Sequence, residues 1–146
     1  MKIVTWNVNG IRSRVFNEQI SSKLKKNELI YPQESSPIKT LIEDYDPDII
    51  CIQETRCSIE NSKKIQVPGY KTFFNESKMS DARAADRYSG TAIFYKENMN
   101  IVEISTELPG YNDNEGRIII VTLETFKCIT VYAPNSGTNY DNKISF

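Results

Sequence analysis

The chain has 146 residues, 39% hydrophobic and 25% charged, with a formal net charge of -1. That length suits one domain with a sizeable core, and the composition excludes a disordered or low-complexity chain. The near-neutral balance excludes a globally basic surface, so an anionic partner must meet a local basic patch, and the lack of histidine excludes His-based catalysis and His metal ligation from within this sequence.

Lys2 to Trp6 reads as a strand that runs into Asn7-Val8-Asn9-Gly10. Phe16, Ile20 and Leu24 recur at i, i+4, i+8 and predict a helix within Arg14 to Lys26. A polar, proline-broken loop follows. Ser36-Pro37 then offers an N-cap with Pro at the first helical position. Ile38, Leu41, Ile42 and Tyr45 continue it as an amphipathic helix, stopped by "DYDPD". "IICIQ" is a continuous apolar run, the mark of a strand buried on both faces. "VPGY" is a turn and "KTFFN" a short strand. The polar loop "ESKMSDARAADRYSG" leads to the strand "TAIFYK". "NIVEIS" alternates as a strand does, and "LPGYNDNEG" is a loop. "RIIIVTLE" and "KCITVYA" are strands joined at Thr125-Phe126 as a β-hairpin. "PNSGTNYDN" is a turn-rich loop. The sum is two helices, six or seven strands and a mixed sheet, an α/β or α+β chain.

Cys51, Cys57 and Cys128 form no C-x-x-C pair and are odd in number, which fits a reduced, intracellular setting, nucleus or cytoplasm. The first apolar run is too short for a signal peptide, and no stretch approaches a membrane span, so no membrane partner is expected.

Three strand ends carry polar residues: Asn7 and Asn9 after the first strand, Glu54-Thr55-Arg56 after "IICIQ", and Tyr132 to Asn135 after "CITV". Ligands gather beyond strand ends where loops converge. A carboxylate, amides and a phenol there would suit a hard cation such as Mg²⁺ together with a phosphate. Taken singly, each has an ordinary alternative. Asn7 to Gly10 also fits a turn, Glu54 a solvated carboxylate, and Tyr132 a core-edge aromatic with a wet hydroxyl.

"IVTWNVNGIRSR", "PDIICIQETR", "RYSGTAIFYK" and "EGRIIIVTLETF…VYAPNSG", in that order, resemble the first half of the exonuclease III-like apurinic/apyrimidinic (AP) endonucleases. These belong to the endonuclease/exonuclease/phosphatase superfamily. The resemblance runs from Met1 to about Gly137, with extra sequence between Arg14 and Pro47. Q-E-T-[KR] with Y-S-G points to the DNA-repair branch rather than the lipid and inositol phosphatases. Retrotransposon-type endonucleases, other phosphoesterases of the superfamily, and a catalytically dead DNA-binding or interaction module are the alternatives.

The resemblance implies a DNase I-like fold. Residues 1–146 would form the first half of a four-layer αββα sandwich, one mixed sheet with flanking helices, with the C-terminal half absent. It implies hydrolysis of double-stranded DNA at abasic sites in base excision repair, with Mg²⁺ or Mn²⁺ as cofactor. Asn7 and Tyr132 match catalytic positions, Glu54 and Asn9 the metal site, and Arg12, Arg56, Tyr88 and Asn135 the DNA-binding surface. Arg14, Arg83 and Arg87 are further phosphate contacts or solvated charges. The family's later G-D-x-N motif and terminal Asp-His pair are not in this sequence. The chain is therefore expected to be inactive alone, to need a separate C-terminal half, and to leave the inner face of its sheet bare.

Overall fold

A computed structural model gives the fold over residues 1–16, 28–78 and 88–133. Its elements in chain order are β1 (Ile3–Asn7), α1 (Ile11–Val15), α2 (Pro37–Tyr45), β2 (Ile49–Gln53), α3 (Ile59–Ser62), β3 (Tyr70–Asn75), β4 (Thr91–Lys96), β5 (Glu103–Ser105), β6 (Ile118–Thr122) and β7 (Lys127–Val131). No helix among the described residues is long and apolar enough to cross a membrane.

The expected mixed sheet is present, with strand order β1-β2-β4-β3. β1 pairs parallel to β2, and β4 pairs antiparallel to both β2 and β3. All five β2 residues are buried. Alternation sends Ile50 and Ile52 to one face, against Ile11, Val15, Phe16 and Ile38 of the helical layer. Ile49 and Cys51 point to the other face.

That second face corrects one expectation. It is not bare: β5, β6 and β7 form a separate antiparallel sheet rather than extending the first. Ile119, Val121 and Leu123 from β6 and the residue after it pack on Ile49, Cys51 and Ile93. Two polar contacts cross the same interface, Gln53 Nε2 donating to Thr130 Oγ1 at 2.8 Å and Cys51 Sγ lying 3.8 Å from Cys128 Sγ. The described residues thus make three layers, helices on sheet on sheet, held by apolar burial on both faces of β2. The outward face of the second sheet carries exposed apolar side chains, with Ile129 52% and Val131 42% exposed.

Local chemistry accounts for the element ends. Ser36 is the N-cap of α2 with Pro37 behind it, and Asp46 closes the helix in the left-handed region, donating its N–H to the Ile42 carbonyl at 2.9 Å. The β6–β7 hairpin turns one residue earlier than its sequence indicates. Leu123 N–H bonds the Phe126 carbonyl at 2.9 Å, so Glu124-Thr125 form the tip. Phe126 lies just before β7, and its ring packs on the inter-sheet core. Of the helix expected within Arg14 to Lys26, α1 and the buried Phe16 at its end are seen; Ile20 and Leu24 lie outside the described residues.

The two apolar faces differ in a measurable way. Ile93 is fully buried and Ile129 is not. Ile93→Ala should cost about 3 kcal/mol by cavity formation, and Ile129→Ala less than about 0.5 kcal/mol. Urea denaturation of the chain reads both, and equal losses would contradict the packed inter-sheet face.

Candidate functional site

The parallel register places Asn7 opposite Gln53, so β1 and β2 open at the same end of the sheet. Backbone bonds carry the pairing into the loops: Val8 N–H to the Gln53 carbonyl (3.0 Å), Gly10 N–H to that of Glu54 (2.8 Å) and Ile11 N–H to that of Thr55 (2.9 Å). On its other side the β2 exit is tied to the entry of β4, with Thr55 and Arg56 N–H donating to the Gly90 and Ser89 carbonyls, each at 3.0 Å. Asn9, Glu54, Arg56 and Ser89 all hold left-handed φ in these loops, at 49°, 55°, 45° and 56°. Such a backbone costs about 1–2 kcal/mol per non-glycine residue, and its concentration at strand exits is characteristic of functional sites. Gly90 completes the junction at φ 85°, where a Cβ would lie 2.3 Å from Thr55 Oγ1.

These constraints converge on Glu54, whose side chain is 16% exposed. Asn7 Nδ2 donates to its Oε1 at 3.0 Å and Arg56 Nη2 to its Oε2 at 2.8 Å. The Tyr132 phenol lies near enough to the same carboxylate to interact with it electrostatically. Burial pushes the Glu54 carboxyl up, but the bonds from Asn7 and Arg56, the Tyr132 phenol and the Arg56 charge outweigh it and hold the group below its ordinary value. Tyr132 moves the other way. Burial, and then the Glu54 carboxylate, push its phenol up against the opposing pull of Arg117. At neutral pH the site is a carboxylate facing a protonated phenol.

The second sheet supplies that phenol. Tyr132 N–H donates to the Arg117 carbonyl at 2.8 Å, which fixes the β7 exit beside the start of β6. The Arg117 side chain is 6% exposed. Its Nε donates to Glu115 Oε2 at 2.5 Å and its Nη2 to the Tyr88 hydroxyl at 3.1 Å. The guanidinium carbon lies 5.8 Å from the Tyr88 ring centroid and 5.2 Å from that of Tyr132. Below it, Asp113 accepts the Arg117 and Ile118 N–H groups at 2.8–3.0 Å and takes Asn75 Nδ2 at 2.7 Å, which ties the end of β3 to this sheet. Gly116 lets the chains approach, since a Cβ at its φ of 66° would lie 2.3 Å from the Asn75 carbonyl oxygen.

Asn7, Glu54, Arg56, Tyr88 and Tyr132, all singled out by sequence, are brought together. Arg56, matched to DNA contact, is ion-paired to Glu54 at 2.8 Å. Asn9 is exposed on the Asn7 loop, and Arg12 is half-buried and Arg14 exposed on α1. Asn135, Arg83 and Arg87 lie outside the described residues. Sequence reasoning misses Asn75, Asp113, Glu115 and Arg117. The available signal was E-G-R before an apolar run, and charges at a strand start read as solvated surface.

No group of three or more His, Cys, Asp or Glu positioned to hold a metal occurs among the described residues. The carboxylate at the meeting of the strand ends is Glu54; a hard cation such as Mg²⁺ takes oxygen ligands, often one or two carboxylates, with water and substrate phosphate completing its shell.

Residues 4–144 match the profile of the endonuclease/exonuclease/phosphatase family. The chain is 30% identical over 139 residues to a DNA-(apurinic or apyrimidinic site) endonuclease of Dictyostelium discoideum, covering 94% of this chain and 31% of that protein. It is 32% identical over 138 residues to an exodeoxyribonuclease of Bacillus subtilis, covering 93% of this chain and 44% of that protein. The chain thus spans less than half the length of these two curated relatives. Among solved structures, the AP endonuclease LMAP from Leishmania major superposes with a TM-score of 0.67 at 22% identity, covering 96% of this chain and 42% of that one. That likeness shows the fold, and the profile match across nearly the whole sequence shows the descent: the chain belongs to the endonuclease/exonuclease/phosphatase family.

Proposed function

We propose that the chain supplies the N-terminal half of a metal-dependent DNA phosphodiesterase that incises at abasic sites, completed by a further polypeptide segment. The observation that carries this reading is the Glu54 carboxylate, held ionised at the meeting of three strand ends with Asn7, Arg56 and Tyr132 around it. The names of the D. discoideum and B. subtilis relatives supply the substrate class.

In this reading Glu54 holds Mg²⁺, or Mn²⁺ in its place, with Asn9 beside it. The bound cation supplies charge neutralisation at a phosphate. Asn7 keeps Glu54 oriented through its amide. Tyr132, neutral and hydrogen-bearing, turns its hydroxyl to a non-bridging oxygen of the scissile phosphate, a donor placed where negative charge develops. Arg12, Arg56 and Asn135 contact the flanking backbone, and Tyr88 faces the duplex.

Hydrolysis also needs a positioned water and a group to take its proton. The sequence has no histidine. In this reading Glu54 serves the cation, and Glu115 is bound to Arg117. In this reading the chain binds and orients a phosphate, and the completing segment supplies the water-activating group.

The test is incision of a duplex carrying one abasic site, by the chain alone and by the chain mixed with the C-terminal half of a relative. The mixture should nick with Mg²⁺, and the chain alone should stay below about a thousandth of that rate. In the mixture Glu54→Gln should lower kcat by about a thousandfold. Efficient nicking by the chain alone would overturn the division of labour; nicking of undamaged duplex at the same rate would overturn abasic selectivity.

The basic residues should read phosphate rather than sequence. Arg12→Ala should weaken DNA binding equally across sequences and reduce the slope of log K against log salt by about 1. Fluorescence anisotropy at several salt concentrations checks it, and a loss confined to one sequence would contradict a backbone contact.

A further inference from the structure

We infer that Arg117 is a positioning residue for the site: one buried guanidinium holds both tyrosines, Tyr88 and Tyr132, at the angle the site uses. The inference rests on the proposed function for its catalytic meaning, but its geometry stands independently.

A surface arginine would be free to meet a phosphate. Arg117 is not, because its side chain is 6% exposed and its donors are engaged. Nε and Nη2 bond Glu115, Nη2 also bonds the Tyr88 hydroxyl at 3.1 Å, and Nη1 reaches the Tyr132 carbonyl at 3.4 Å. The plane lies within cation–π range of two rings at once, at 5.8 and 5.2 Å. A planar fork can bond in its plane and stack across its faces together; an ammonium cannot. Glu115 is the counter-ion that keeps the buried charge in place.

The strand does not need this side chain. Asp113 anchors β6 through the backbone N–H groups of Arg117 and Ile118, and the Tyr132 N–H bonds the Arg117 backbone carbonyl. Those bonds use backbone groups that lysine and methionine at 117 keep, so ring placement can be separated from folding. Two tyrosines from distant loops, one preceding β4 and one following β7, thereby share a single support. Each keeps its hydroxyl for other work: Tyr132 faces Glu54, and Tyr88 accepts from Arg117 while its own proton remains available.

The experiment labels the 146-residue chain with 3-fluorotyrosine and records ¹⁹F NMR. Tyr88→Phe and Tyr132→Phe assign the two signals. Arg117→Lys keeps charge and loses the fork, Arg117→Met loses both, and Glu115→Gln loosens the guanidinium without touching either ring. Both tyrosine signals should shift and sharpen in Arg117→Lys and Arg117→Met, and shift partway in Glu115→Gln, while those of the strand tyrosines Tyr70 and Tyr95 stay in place. Unmoved Tyr88 and Tyr132 signals in Arg117→Lys, or movement of all four together, would overturn the inference. The kinetic arm uses the completed domain. Arg117→Lys should lower kcat about tenfold in the parent and less than about threefold in a Tyr132→Phe background, with KM little changed, because groups acting as a unit are not additive. Equal losses in both backgrounds would overturn action through Tyr132. Shifted signals with no abasic incision by the parent mixture would support ring positioning and reject the proposed activity, so the two failures are distinct.

Discussion

A carboxylate placed at the end of a strand with no exposed residue is the constraint on which the rest of this structure depends. β2 is buried from Ile49 to Gln53, and the next residue is Glu54. An ionised group so close to the core is costly unless donors meet it. Asn7, Arg56 and Tyr132 meet it, and they come from three segments that only the folded sheets bring together. The parallel β1–β2 register, the left-handed turn at Glu54 itself and the tie from Arg56 N–H to the Ser89 carbonyl all follow from presenting one side chain at one angle. Polar groups fixed in this way need little rearrangement when a ligand binds, which is the basis of electrostatic preorganisation.

The second sheet does two things at once. Its inner face, through Ile119, Val121 and Leu123, covers apolar side chains of the first sheet. Its leading edge carries Arg117, and its last strand exits at Tyr132, so stacking the sheets is also what closes the site. The Asn75–Asp113 bond and the close approach at Gly116 set how the loops between the sheets sit. The outward face with Ile129 and Val131 serves neither purpose within the described residues.

Much of this was legible in the sequence. The apolar run "IICIQ" indicated a strand covered on both sides, and it is. The polar residues after three strands indicated a shared mouth, and Asn7, Glu54 and Tyr132 do meet there. What was not legible has physical reasons. The apolar run in "RIIIVTLE" identifies a strand but not its sheet, so β6 was expected in one mixed sheet, and the cover it gives to Ile49 and Ile93 was not foreseen. The hairpin link was expected at Thr125-Phe126 because turns and strand ends share residue types, while the tip falls at Glu124-Thr125 and the Phe126 ring packs on the core. Glu54, Arg56 and Ser89 are not residues whose identity signals positive φ, so their strain is imposed by hydrogen bonds from elsewhere in the chain. Arg117 was overlooked because a charge beside a strand is ordinary, and only the fold reveals two aromatic rings against it.

Glu54 as a fixed, charged hub can be tested most directly by ¹³C NMR titration of its carboxyl carbon in the metal-free chain. The account predicts a midpoint below the ordinary 4.5, moving upward in Asn7→Ala and Tyr132→Phe. Because the folded value is depressed, the stability it contributes should be fully present above about 4.5 and lost as pH falls through the folded midpoint. A midpoint at or above 4.5 in the parent, unchanged in both variants, would contradict the convergence of donors from which the site is built.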